Sequence, residues 1–257
     1  MRAWILAGFV FFLYVAAVCP LVRGLTRRRR AAAVLSAAVG LVLCGIAQAA
    51  ATHPILRDWI LPPVVLLVAY WSSGLLFAAP MSWAETALDA IDCRLRIDRI
   101  AASTPRCLAE LLELGYLGVY PLIPIALAIH VTLIPDPNPD RFWTTVLIVD
   151  FICFGFLPWV QTRPPRALRI AEPWTAAVRR ANVRLLGRTS IQVNTFPSGH
   201  AAEALAVVLL VADAPWPVVV GMGTTAILIS AGAVLGRYHY AADAFAGWAV
   251  ALAVWMS

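Results

Sequence analysis

The chain has 257 residues, of which 61% are hydrophobic and only 13% charged; a soluble domain is roughly half apolar and a quarter charged. All 20 basic residues are arginine, giving a formal charge of +6. These figures exclude an ordinary soluble domain, and arginines gathered between apolar blocks are membrane-topology signals rather than a nucleic-acid-binding surface.

Eight apolar segments follow one another, at approximately 3–22, 31–51, 59–80, 108–134, 142–160, 200–213, 215–235 and 241–256. A helix needs about 20 residues to cross a bilayer, so the sixth and eighth, which are shorter, cross only partly or with little tilt. The first follows Met1-Arg2 and imitates a signal peptide. No small-x-small cleavage site ends it, and Val18 before Cys19 fits a lipoprotein box poorly, so it reads as a retained span. Residues 82–107 predict a helix lying at the interface, with Trp83, Ala87, Ile91 and Leu95 on one face. Glu85, Asp89, Asp92, Arg96 and Arg99 occupy its other faces. The fold class is therefore an all-α polytopic membrane helix bundle with about eight transmembrane helices. The five cysteines form no C-x-x-C pair and read as apolar fillers.

Arginine placement gives the orientation. Connections after the first, third, fifth and seventh spans carry seventeen arginines, Arg169 among them; the other side keeps Arg2, Arg57 and Arg141. Such a bias puts the arginine-rich side in the cytoplasm, and the inner membrane of a cell is the expected location. Tryptophans cluster near span ends, as an aromatic belt requires.

The same parity brings three segments to one membrane face: "QTRPPRALR" (161–169), "NTFPSGHAAE" (194–203) and "GRYHYAADAFAG" (236–247). In the last, His239 and Asp243 stand at i, i+4, on one face if the segment is helical. A carboxylate accepting from one ring nitrogen leaves the other bare and nucleophilic. Taken alone, the pair is as readily an ordinary helix-start ion pair. In the second segment, Pro197 suits a turn, Ser198 can cap the following helix, and Gly199 lets an anion reach the orphan N–H groups of the first turn. No glutamate stands at 201 to complete a capping box. His200 sits at the same mouth, and Glu203, three residues on, can tune its acidity. Arg163, Arg166 and Arg237 offer forked donors that match phosphate oxygens, though a cytoplasmic flank would supply each singly. Together these residues form a phosphoryl-transfer kit: one histidine to attack phosphorus, one to protonate the departing oxygen, and arginines and helix N–H groups to hold the charge. No Asp-rich cluster for magnesium ions is seen in the sequence, and no cofactor is expected. Asp150 inside span five reads as a polar partner across the bundle, and His53 and His130 as interfacial groups near the opposite face.

"TRPPR", "PSGH" and "HYAAD" resemble, in order, the three signature segments of the type-2 phosphatidic acid phosphatase superfamily, which includes lipid phosphate phosphatases and shares its fold with vanadium haloperoxidases. The resemblance implies a six-helix catalytic core at 59–257, with the two helices of residues 1–58 as an N-terminal addition. It implies His239 as the nucleophile that forms a phosphohistidine, Asp243 as its orienting carboxylate and His200 as the general acid. Ser198, Gly199, Arg163, Arg166 and Arg237 would hold the phosphate. Two positions depart from the pattern: the family's lysine, seven before Arg163, is Phe156, and its arginine, six before His239, is Ala233. Arg166 and Arg237 are the expected substitutes. Such variants look similar to the branch containing inositol-phosphoryl transferases acting on ceramide. The implied function is metal-independent hydrolysis of a lipid phosphomonoester or diphosphate. The alternatives are transfer of a phospho-head group between lipids and non-catalytic binding of anionic lipids. The expected partners are the bilayer and a lipid phosphate, with no nucleic acid.

Overall fold

The computed structural model describes residues 1–168 and 173–257; Arg169, counted above among the arginine-rich connections, lies outside them. Twelve α-helices and no strand occur among the described residues. The first three are α1 (Ala3–Val18), α2 (Arg27–Ala49) and α3 (Leu61–Leu75), the last entered through a π turn at Leu56–Ile60. Thr26 caps α2 by accepting from the Arg29 N–H at 3.3 Å.

The helix expected over 82–107 comes in two pieces, α4 (Ser82–Arg94) and α5 (Ile97–Ser103). Arg96 breaks it, with φ of 56°, in the left-handed region where a helix cannot continue. The fourth apolar segment is also divided, into α6 (Arg106–Leu117) and α7 (Val119–Leu133), which meet at 60° around Gly118. Pro121, just beyond, has no N–H to bond back across that junction to Leu117.

Five helices complete the chain: α8 (Pro139–Gly155), α9 (Ala177–Thr189), α10 (Gly199–Leu210), α11 (Trp216–Leu235) and α12 (Ala241–Met256). Helix α8 starts where the helix-breaking geometry favours a start. Asn138 accepts from the Arg141 N–H at 3.0 Å, and Pro139 stands first in the helix. Arg27–Ala49, Leu56–Leu75 and Trp216–Leu235 are each long and apolar enough to cross a membrane, and the bent pair α6–α7 makes a fourth candidate. Helices α1, α10 and α12 are apolar but shorter. The protein is a membrane-embedded helical bundle.

Helix α10 lies at its centre, packed against α7, α8, α11 and α12, while α1 packs on α2, α3 and α8. One apolar core runs from Trp4 and Phe12 of α1 through Trp143 and Val146 of α8 to Val207 of α10 and Ala251 of α12. The two ends of the bundle differ as the arginine count requires. At one end, Arg2 lies 3.7 Å from Asp58 and 3.9 Å from Asp140, Arg57 pairs with Asp58 at 2.9 Å, and Arg141 stands over Trp255. His130 is also toward that end, but buried rather than interfacial: its Nε2 accepts from the Asn138 N–H at 3.0 Å, so Nδ1 donates to the Leu210 carbonyl.

At the other end, α10 and α12 approach so closely that a Cβ on Gly247 would stand 2.5 Å from the Ser198 carbonyl oxygen and 3.1 Å from the Ala202 nitrogen. Only glycine permits this contact. Gly247→Val should push the two helices apart and lower the stability of the detergent-solubilised protein by about 1–3 kcal/mol in a thermal melt; an unchanged melt would show that the approach is not needed.

Candidate active site

Three loops meet at that end, held by backbone bonds. An antiparallel bridge joins Thr162 to Asn194, whose N–H donates to the Thr162 carbonyl at 2.9 Å. The Arg166 N–H donates to the Arg237 carbonyl, and the Ser198 N–H to the Asp243 carbonyl, each at 2.9 Å. The two expected histidines therefore face each other, with ring centroids 5.8 Å apart and planes inclined at 71°.

His239 and Asp243 meet, but not along a helix face. Helix α12 begins at Ala241, so His239 stands outside it. Asp243, in the first turn, folds back so that its Oδ2 accepts from the Tyr240 N–H at 2.9 Å and lies 3.4 Å from His239 Nδ1. Helix capping thus fixes the carboxylate beside the imidazole, although His239 Nδ1 makes no hydrogen bond to it. A proton on Nδ1 leaves Nε2 bare. Ser198 is the N-cap of α10, its hydroxyl accepting from the Ala201 N–H at 3.4 Å. Gly199 turns its vacant side-chain position toward α8, where a Cβ would meet Phe154 at 3.2 Å and Asp150 at 3.3 Å. Its smallness therefore serves helix packing at the mouth of α10.

The three arginines are used differently. Arg166 stands half-buried, its guanidinium 5.1 Å from the Tyr238 ring, and its charge acts on His200. Arg163 is gripped by Glu85: Oε1 accepts from its Nε and its backbone N–H, each at 2.9 Å, and Oε2 from Nη2 at 2.8 Å. Arg237 is 2% exposed; its Nη1 donates to Asp92, its Nε lies 3.3 Å from Asp98, and its Nη2 has no hydrogen-bond partner. Its φ of 61° places a bulky residue in the left-handed region, a conformation its side-chain anchors hold. Of the two departures from the family pattern, Phe156 faces an apolar groove against α1. The Ala233 carbonyl accepts the N–H groups of Tyr238 and His239, at 2.9 Å each, beneath the histidine loop.

Sequence reasoning missed the acidic residues that hold this loop. On α4 the apolar face of Trp83, Ala87 and Ile91 points outward, Trp83 being 66% exposed, while Glu85 and Asp92 turn inward and are buried. Besides Arg237, Asp92 accepts the Ala241 N–H at 2.9 Å, so one carboxylate ties the loop to the first turn of α12. Burial, the largest influence on Asp92, raises its carboxyl although Ala241 and Arg237 pull it down. Glu85 and Asp92 are seven residues apart, two helical turns on one stripe, and that spacing was the available signal. Glu113 of α6 is the second hub. It accepts from Tyr238 Oη at 2.7 Å, Trp174 Nε1 at 2.9 Å, Arg179 Nη1 at 2.9 Å and Asn182 Nδ2 at 2.6 Å. Arg179 also donates to the Gly236 carbonyl at 2.9 Å, and Tyr116 stacks on Tyr238 at 4.2 Å. A carboxylate within an apolar segment was the signal that could have found Glu113.

Residues 81–257 match the model of a family described as the PAP2 superfamily. The chain belongs to that superfamily, whose members are in general phosphatases. The match begins just before α4 and takes in all three converging loops. Comparison with curated proteins and with solved structures gave no match.

Asp92→Ala removes the principal partner of a buried guanidinium, and such a loss costs about 3–5 kcal/mol. The variant should melt well below wild type in detergent; an unshifted melt would mean that Asp98 alone suffices. The Glu85 pair gives a pH signature. Its hydrogen bonds to Arg163 hold the carboxyl below its ordinary 4.5, so the pair stabilises fully above that value and fades as pH falls through the lowered one. The difference in melting temperature between wild type and Glu85→Gln should therefore be present at neutral pH and vanish in acid; a difference independent of pH would contradict the pairing.

Proposed function

We propose that this chain is a lipid phosphate phosphatase that hydrolyses a phosphomonoester or diphosphate through a phosphohistidine, without a metal ion. The observation that carries the reading is the approach of His200 to the His239–Asp243 pair, close enough for one phosphoryl group to touch both rings. His239 Nε2 attacks phosphorus and the ester P–O bond breaks. The departing lipid oxygen takes its proton from His200. Water then gives a proton back to His200 as it attacks the phosphohistidine, releasing inorganic phosphate and free His239. Arg166 and the uncommitted Nη2 of Arg237, with the N–H groups at the start of α10, stabilise the equatorial oxygens. The membrane bundle delivers the substrate from the bilayer, and the arginine bias supports a cytoplasmic-facing site.

Head-group transfer is the rival reading, favoured by the departures at Phe156 and Ala233 from the hydrolase pattern. A lipid alcohol would then replace water in the second step.

Purified protein given labelled phosphatidate, sphingoid phosphates or polyprenyl diphosphates, with no metal added, should release free phosphate from at least one; label appearing in a new lipid would instead establish transfer. His239→Ala should abolish release with the melt intact, and His200→Ala should slow it by about 10²–10⁴-fold. Retention of activity by His239→Ala would remove the nucleophile from this scheme.

A further inference from the structure

A cavity of about 360 Å³ opens directly off His200 and runs into the bundle between α3, α7, α8 and α10. Its walls are mostly apolar, from Leu66, Val119, Ile123 and Phe154. Two carboxyl groups interrupt them, Asp150 of α8 and Glu203 of α10, close enough to act electrostatically on each other. Asp150 is 1% exposed and its Oδ2 has no hydrogen-bond partner. No arginine lines the cavity among the described residues. Buried carboxyls with no arginine beside them are costly in an apolar setting, and in membranes they mark ligand paths. Packing does not explain them either, since Cys153 and Val207 on the same two helices are ordinary core residues. What Asp150 Oδ2 lacks is a donor, and the cavity is where one would arrive.

We propose that Asp150 and Glu203 recognise a hydrogen-bond donor, a hydroxyl or an ammonium, on the lipid backbone within about two carbons of the phosphoester oxygen, since i, i+3 side chains such as His200 and Glu203 start only about 5–6 Å apart. The phosphate occupies the gap between the histidines. The carbon carrying the donor passes His200, and the acyl or alkyl chain lies along the apolar walls. The pair is thus a specificity site: a backbone whose neighbouring position is esterified leaves both carboxyls unpaired and is penalised. The inference rests on the lipid-phosphate reading above.

Three substrates separate the donors: sphingosine 1-phosphate carries an ammonium and a hydroxyl, lysophosphatidate a hydroxyl only, and phosphatidate neither. Wild-type kcat/KM should favour one or both donor-bearing lipids over phosphatidate by at least about tenfold, a modest value for a site with buried acceptors. Whichever leads names the donor. In Asp150→Leu/Glu203→Met that preference should shrink to within about threefold, read as a ratio so that any common loss of rate cancels. The same three lipids, bound to the full-length His239→Ala protein and read by thermal shift, should follow the same ranking without turnover. Failure of hydrolysis with the binding order intact would overturn the phosphatase reading alone. Equal wild-type preference and equal binding for all three lipids would overturn this proposal, whether or not the double variant folds. So would an unchanged preference in a folded double variant.

Discussion

The hydrogen bond from the Ser198 N–H to the Asp243 carbonyl registers the starts of two helices against each other, and the site depends on that register. The Ser198 N–H, at the N-cap of α10, is a donor that helical bonding would otherwise leave to caps or solvent. Gly247 lets α12 come close enough to α10 for the bond to form. With the helices so placed, a histidine just inside α10 and another just before α12 stand across one gap, each presented by a helix beginning. The orphan N–H groups of those beginnings also favour an anion between them.

Around this register the protein has arranged opposite charges in a low-dielectric setting, where each is held by another. Asp92 joins Arg237 to α12, Glu85 fastens Arg163, and Glu113 gathers Tyr238, Trp174, Arg179 and Asn182. Charges buried this way add little net stability, but losing one partner strands the other. Their effect is positional. They hold the histidine loop against α4 and α6, two helices that contribute no group to the proposed chemistry.

Much of this was legible in the sequence. Apolar runs near the length of a bilayer crossing located the membrane helices, and the parity of those runs predicted that three motif loops would share one end. The arginine asymmetry agrees with the structure, where Arg2, Arg57 and Arg141 lie at the end away from His200. The rest was illegible because it depends on pairing across the chain. Periodicity put Trp83 and Ile91 on one face of an amphipathic helix and Glu85 and Asp92 on others, but gave no sign that Arg163 and Arg237, far along the sequence, draw those acids inward. Similarly, the His239–Asp243 spacing pointed to a helix face, whereas a helix start at Ala241 produces the same proximity by capping. Local periodicity carries no record of such partners.

The central claim is that His239 becomes covalently phosphorylated. Rapid quenching of the wild-type protein with a lipid phosphate labelled at phosphorus, followed by peptide mapping, tests it most directly. The expected result is an acid-labile, base-stable label on the peptide carrying His239, formed and lost at rates compatible with turnover. Turnover without any labelled protein, or label fixed on a different side chain, would contradict it.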